Sequence, residues 1–159
     1  MRLFTHTCKR PLFTALVAAA ALTAGCGGEE RLSKDETARH ATAAVQTVNA
    51  EFQQVFEMLG RREESEAVPA AVRDRLAAAA TVERREADKL AAIKPPTDSV
   101  AAIDGFVRAA RSQAATLHGN AARAALTVAE MADSIELPQM RQALTELDKQ
   151  NLAKPPAHP

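Results

Sequence analysis

Apolar residues recur with helical spacing in three long stretches of the chain. In the first stretch, from Ala38 to Leu59, the spacing alternates between three and four residues over three heptads. This pattern is typical of a helix that buries one face. Ser33 and Glu36 carry the sequence signature of a capping box, and Gly60 follows the last apolar position. The pattern therefore predicts a first helix over residues 34–59.

The second stretch begins at Pro69, a residue typical of the first turn of a helix. It ends at Lys94, because the residue before a proline is disfavoured in the α conformation and Pro95 and Pro96 follow. The polar segment 60–68 connects it to the first helix. Its apolar face is formed by Val72, Leu76, Ala79, Leu90 and Ile93.

Glu83 and Glu86 fall where the apolar face of this second helix should continue. In one interpretation the two carboxylates line a polar pocket inside the helical bundle. In the other, Val82 and Ala87 carry the face, and the glutamates pair with basic neighbours such as Lys89. A period of 3.6 residues accommodates both. The sequence favours the second interpretation.

The third stretch is capped by Thr97 or Asp98 and keeps its apolar phase over four heptads, from Ile103 to Met131. Gly119-Asn120 lies inside it and weakens a helix by roughly 1 kcal/mol relative to alanine. Because the phase is kept across this pair, we expect one continuous helix. After a junction at residues 133–138, a short last helix has an apolar face of Met140, Leu144 and Leu147.

Three long helices and a short C-terminal one predict an all-α, up-down antiparallel bundle over residues 33–152. The chain is rich in strong helix formers, and aromatic residues make up only 3% of it. Residues 153–159 include three prolines and are expected to form a disordered tail.

Residues 1–25 have the pattern of an export signal. Arg2, Lys9 and Arg10 precede an uncharged, mostly apolar run of 15 residues, from Pro11 to Gly25. A membrane-spanning helix needs about 20 residues, whereas this length is typical of the apolar region of a signal peptide.

The run ends in Leu22-Thr23-Ala24-Gly25-Cys26, which resembles the lipobox of bacterial lipoproteins. Thr23 stands where that family more often has leucine. The resemblance implies that the signal peptide is cleaved before Cys26 and that Cys26 carries diacylglyceryl and fatty acyl groups such as palmitate. Residues 26–32 then form a lipidated tether on the extracytoplasmic face of the cell membrane. The alternative is an ordinary secretory signal with a cysteine there by chance.

Charge and chemistry narrow the function further. The 20 basic and 20 acidic residues balance, which argues against a nucleic-acid partner. Sequence motifs for nucleotide binding, hydrolysis or haem attachment are absent, so we expect neither an enzyme nor a cofactor. Ferritin-like bundles bind metal through Glu-x-x-His pairs. Neither His40 nor His118 has a glutamate three residues before it. His40 is interpreted as a solvated outer-face residue, and His118 as a residue at the flank of its helix.

Two segments carry a family resemblance: Glu30 to Glu36, ERLSKDE, and Leu90 to Pro96, LAAIKPP. They are similar to the helix start and the helix–helix turn of small, functionally uncharacterised helical lipoproteins from high-GC bacteria. The resemblance implies the fold and the anchoring, and no activity. Members of that family carry a cysteine in the first helix, apparently paired with one near the C-terminus. Val45 stands near the first position here, and the tail has no cysteine.

The sequence therefore predicts a non-enzymatic, membrane-anchored binding or scaffolding module of the cell envelope, whose protein or envelope partner it does not identify. The alternative is a ferritin-like bundle that binds a metal or a small ligand.

Overall fold

The computed structural model describes residues 30–154, which form five helices. Their bounds are α1 (Lys34–Leu59), α2 (Ala70–Ala91), α3 (Val100–Ala121), α4 (Val128–Ile135) and α5 (Pro138–Lys149). Helix α1 packs on α2, α2 packs on α3, and α3 packs on α4 and α5. The prediction of an all-α bundle is confirmed.

Helix α1 has the predicted bounds, and its ends show why. The Ser33 hydroxyl accepts a hydrogen bond from the Glu36 backbone N–H at 3.2 Å, and the Glu36 carboxylate accepts one from the Ser33 N–H at 2.9 Å. This reciprocal pair is a complete capping box. At the other end Gly60 has a φ of 63°, a conformation that residues with a side chain rarely adopt.

The third helix differs from the prediction. Helix α3 ends at Ala121, and Thr127 begins α4 with a second capping box to Glu130. The expectation of one continuous helix to Met131 is therefore wrong. The C-terminal part contains two short helices instead of one.

Backbone hydrogen bonds explain the break after α3. The Val68 N–H donates to the Leu126 carbonyl at 2.8 Å, and the Val128 N–H donates to the Glu66 carbonyl at 3.0 Å. These bonds hold segment 122–127 against the connection between α1 and α2, with a single bridge pairing Ala67 and Thr127. The Leu126 side chain is fully buried there. A helix that continued straight through this segment would lose all of these contacts.

The buried apolar residues form two clusters along the length of the bundle. The first core cluster lies at the end with the α2–α3 turn and includes Val45, Leu90, Ile103, Phe106 and Leu147. The second core cluster lies at the opposite end and includes Phe52, Leu76, Leu117, Leu126 and Met131. Each of the three long helices contributes to both clusters.

The C-terminal boundary extends slightly beyond the predicted one. Leu152 and Ala153 are buried in the first core cluster, and the Leu152 carbonyl accepts a hydrogen bond from the Thr42 hydroxyl at 3.3 Å. The folded part therefore includes Ala153, which the sequence assigned to the disordered tail. Residues 155–159 of that tail lie outside the described residues.

Candidate functional site

Two sites came from the sequence: Cys26 with its leader, and the glutamates of α2. Cys26 and the predicted signal peptide, residues 1–25, lie outside the described residues. The structure does describe the end of the predicted tether, from Glu30 to Leu32.

This end of the tether is hydrogen-bonded to the turn between α2 and α3. The Leu32 N–H donates to the Lys94 carbonyl at 2.8 Å, and the Arg31 guanidinium donates to the Pro95 carbonyl at 2.9 Å. The chain therefore enters the bundle beside the α2–α3 turn. Position 26 is only four residues before Glu30, so an anchor on Cys26 would place this turn near the membrane.

A shallow groove of about 260 Å³ lies at the same turn. It is lined by the apolar side chains of Leu90 in α2, Ile93 in the turn and Ile103 in α3, together with the charged side chains of Arg31 and Asp104. Within residues 30–154, none of the helices is long and apolar enough to cross a membrane.

Glu83 lies inside the bundle. The residue is 1% exposed, and neither carboxyl oxygen has a hydrogen-bond partner. Burial raises the pKa of Glu83 to about 8, because removal from water penalises the charged form. At neutral pH the side chain is therefore mostly a neutral carboxylic acid. Glu83 is therefore a buried residue and not a solvated one.

Glu86 is in a different environment. It is 7% exposed, and its carboxylate accepts a hydrogen bond from the Lys89 ammonium at 2.8 Å and one from Arg85 at 3.3 Å. Lys89 and Arg85 keep most of their side-chain surface in water. Glu86 thus pairs with basic neighbours as the second interpretation expected, and Ala87 is fully buried beside it. The structure does not bring the two glutamates into one site.

The histidines lie on the outside. His40 is exposed, and the His118 ring nitrogen is 3.4 Å from the Thr81 hydroxyl at the surface between α2 and α3. Among residues 30–154, no group of three or more histidine, cysteine, aspartate or glutamate side chains is placed to hold a metal ion.

Sequence reasoning missed one buried polar residue, Gln113 of α3. It is 1% exposed, and its amide group donates hydrogen bonds to the backbone carbonyls of Ser134 and Ile135. Gln113 thereby binds the end of α4 to α3. A usable signal was present, because a polar residue directly before Ala114 falls on the apolar face of that helix.

Comparison with known protein families, with curated proteins and with solved structures finds no significant match for this chain.

Proposed function

We propose that this protein is a lipoprotein anchored to the extracytoplasmic face of the cell membrane, where its helical domain acts as a non-enzymatic binding or scaffolding module. The observation that carries the proposal is the sequence Leu22-Thr23-Ala24-Gly25-Cys26 at the end of a 15-residue uncharged run. An apolar region of this length suits a signal peptide, and the cysteine directly after it is the residue that lipoproteins acylate.

The structure gives indirect support. The bundle begins at Ser33, so residues 27–32 form the whole spacer between the proposed anchor and the first helix. Fully extended, six residues reach about 20 Å. Lipoprotein acylation supplies at least two chains, which is enough for stable membrane binding. The folded part therefore stays close to the bilayer, where a partner in the membrane or envelope is within reach.

Metabolic labelling with palmitate tests the anchor. The wild-type chain and a Cys8→Ser variant should both be labelled and shortened, because Cys8 lies in the discarded leader. The Cys26→Ser variant should stay unlabelled and keep the length of the precursor. A Cys26→Ser chain that is cleaved normally would instead indicate an ordinary secretory signal, and labelling that persists in it would place the lipid elsewhere.

The binding role is tested by affinity capture from native membranes, with the acylated wild-type chain as bait. We expect a partner retained by the folded wild-type chain and lost when the same chain is unfolded by heat before capture. Retention of the same protein by the unfolded chain would mean non-specific capture and would contradict the role.

A ferritin-like, metal- or small-ligand-binding bundle is the second candidate, and the unpartnered oxygens of Glu83 favour it. Elemental analysis of the purified protein separates the two candidates. Iron, zinc or copper in a stoichiometric amount that is lost in Glu83→Gln would support the metal site and overturn the purely scaffolding role.

A further inference from the structure

Glu83 lies at the boundary between the two core clusters. On α2, Ala80 belongs to the second cluster and Ala87 to the first, with Glu83 between them. The boundary falls at the same level on the neighbouring helix α3, between Ala110 and Ala114. A buried carboxyl group without a hydrogen-bond partner thus separates two apolar regions.

The core is thin at this level. On α2 and α3 the cluster residues next to the boundary are alanines, whereas the layers of α2 on either side contain large side chains such as Leu76 and Leu90. Hydrophobic stabilisation grows with the apolar area that is buried, so alanine contributes much less than leucine. Separating α2 from α3 locally at Glu83 therefore gives up less buried apolar surface than separating them at Leu76 or at Leu90.

No opposite charge compensates Glu83 inside the bundle. Within residues 30–154, the only buried charged residues are Glu83 and Glu86, and Glu86 is paired with Arg85 and Lys89. Helices α1 and α3 pack against α2, and their buried polar side chains are the uncharged Thr37 and Gln113.

The charged side chains of α1 and α3 near this level are either paired or exposed. Glu51 of α1 is paired with Arg75, and Arg111 of α3 is paired with Asp88. His40 of α1 and Arg108 of α3 are exposed, as are Arg84 and Arg85 of α2 itself. His118 of α3 is exposed too, and its ring contacts the Thr81 hydroxyl at the surface and not the Glu83 carboxyl group. Loss of the Glu83 proton would consequently leave a bare negative charge in an apolar core.

We propose that Glu83 is a pH-sensitive switch: the bundle stays closed around the neutral carboxylic acid, and it opens locally at the thin layer when the acid releases its proton to water. The proposal concerns the folded domain and holds whatever anchors the chain. The ordinary pKa of a glutamate is 4.5 and that of Glu83 in the closed bundle is about 8. Between these values the closed form binds more protons than the open form. The ratio of closed to open molecules therefore falls as the pH rises, by up to about tenfold per pH unit.

Amide hydrogen exchange on the full-length chain in a mild detergent tests the switch. After correction for the intrinsic pH dependence of exchange, protection of the α2 amides around Glu83 should fall between pH 5 and pH 8 in the wild type. It should stay level in Glu83→Gln, which is neutral at every pH. The matched control is Glu86→Gln, on the same helix but paired at the surface, and it should lose protection as the wild type does.

A second variant covers the case in which glutamine itself disturbs the core. Glu83→Met has a similar length, no charge and no polar atom to satisfy, so it should protect these amides at least as well as the wild type at pH 5 and better at pH 8. Equal pH dependence in the wild type and both Glu83 variants would overturn the switch. If the α2 amides around Glu83 were as well protected at pH 8 as the amides of the other helices, local opening would be overturned, because all amides would then exchange through unfolding of the whole domain.

Discussion

At the residue scale, two carboxylates three positions apart on one helix have opposite environments. Three residues turn a helix by about 300°, so Glu83 and Glu86 lie on one broad face about 60° apart. That offset puts Glu83 in the interior and leaves Glu86 at the edge, where the long side chains of Lys89 and Arg85 reach it from the solvent. The hydrophobic pattern marked both positions as anomalous. It could not separate them, because a 60° difference depends on how α2 is rotated against its neighbours.

Opposing titrations predict that the domain is most stable in mild acid. The raised pKa of Glu83 gives stability that is complete below pH 4.5 and lost as the pH rises toward about 8. Glu36 acts in the opposite direction. The hydrogen bond from the Ser33 backbone N–H lowers the pKa of Glu36, so the stability that this capping box contributes is lost as the pH falls. Glu130 behaves likewise through the Thr127 backbone. Thermal melts should therefore show a maximum near pH 5.

The size of the alkaline decline follows from the pKa difference. At about 1.4 kcal/mol per unit, ionising Glu83 costs the folded state on the order of 5 kcal/mol between pH 4.5 and pH 8. A small domain has only about 5–15 kcal/mol of stability in total. Glu83→Gln should abolish the decline, whereas Glu36→Gln should remove part of the acid limb. A wild-type maximum at pH 7 to 8 would contradict the burial of Glu83.

Two phenylalanines one turn apart on α1 test the packing of the second core cluster. Phe52 is 9% exposed and belongs to that cluster, whereas Phe56 is 42% exposed. Phe52→Ala should cost about 3–5 kcal/mol, because it leaves a cavity in a packed core. Phe56→Ala should cost under about 1 kcal/mol. Chemical denaturation of both variants measures this, and equal losses would mean that the buried face of α1 is wrongly assigned.

At the element scale, local signals decided which predictions succeeded. The capping box at Ser33 and the glycine at position 60 fixed both ends of α1, and the structure has the same bounds. The break after α3 carried the same kind of signal, since Thr127 and Glu130 form a second capping box. The helical spacing of apolar residues continued through the break, and this spacing favoured a single helix. Periodicity reports which residues face the core and cannot report a change of direction between two helices that face the same core.

Contacts between residues distant in sequence account for the features of the fold that the sequence pattern did not predict. The pairing of Val68 with Leu126 joins segments more than 50 residues apart. The hydrogen bonds from Gln113 to the end of α4 are likewise non-local. No pattern within a window of ten or twenty residues contains such contacts. Fold class and helix positions were therefore predictable, while the path of the chain between α3 and α5 was not.

Two glycines should respond in opposite directions to the same substitution. Gly119 lies within α3, and a Cβ atom added there meets nothing within 4 Å. Gly119→Ala should stabilise the domain by about 0.5–1 kcal/mol through helix propensity and a less flexible unfolded chain. A Cβ atom added at Gly60 also meets nothing within 4 Å, but the φ of 63° at that position is strained for any residue that has a side chain. Gly60→Ala should destabilise the domain by about 1–3 kcal/mol, because this backbone conformation is essentially confined to glycine. Melting temperatures that shift in the same direction would contradict one of the two backbone conformations.

At the scale of the whole molecule, the two ends of the bundle differ in construction. One end is closed by backbone pairing between the α1–α2 and α3–α4 connections, with Leu126 buried beneath them. Arg73 strengthens this closure by donating to the carbonyls of Val68 and Ala124. The other end holds the chain entry, where Leu32 is bonded to the α2–α3 turn. If Cys26 carries the lipid, the end with the α2–α3 turn faces the membrane and the end closed by backbone pairing points away from it.

This orientation is measurable with single cysteines. Under the proposed processing Cys8 is removed and Cys26 is acylated, so an introduced cysteine is the only free thiol of the mature protein. Thr97 is exposed on the α2–α3 turn, and Ser65 is exposed in the connection beyond α1. The 26 residues of α1 separate the two levels by about 39 Å.

A fluorophore attached at Thr97→Cys should be quenched by a quencher carried on lipid head groups, and one at Ser65→Cys should not. The difference is expected because the short tether and the Leu32–Lys94 hydrogen bond hold the turn near the bilayer. The control uses the same labelled chains without the lipid anchor. Vesicles that carry the quencher should leave the fluorescence of both chains unchanged. Equal quenching at both positions of the anchored protein would mean that the bundle lies flat on the membrane. In that case one long side of the bundle, and not the end with the α2–α3 turn, would be the surface withheld from a partner.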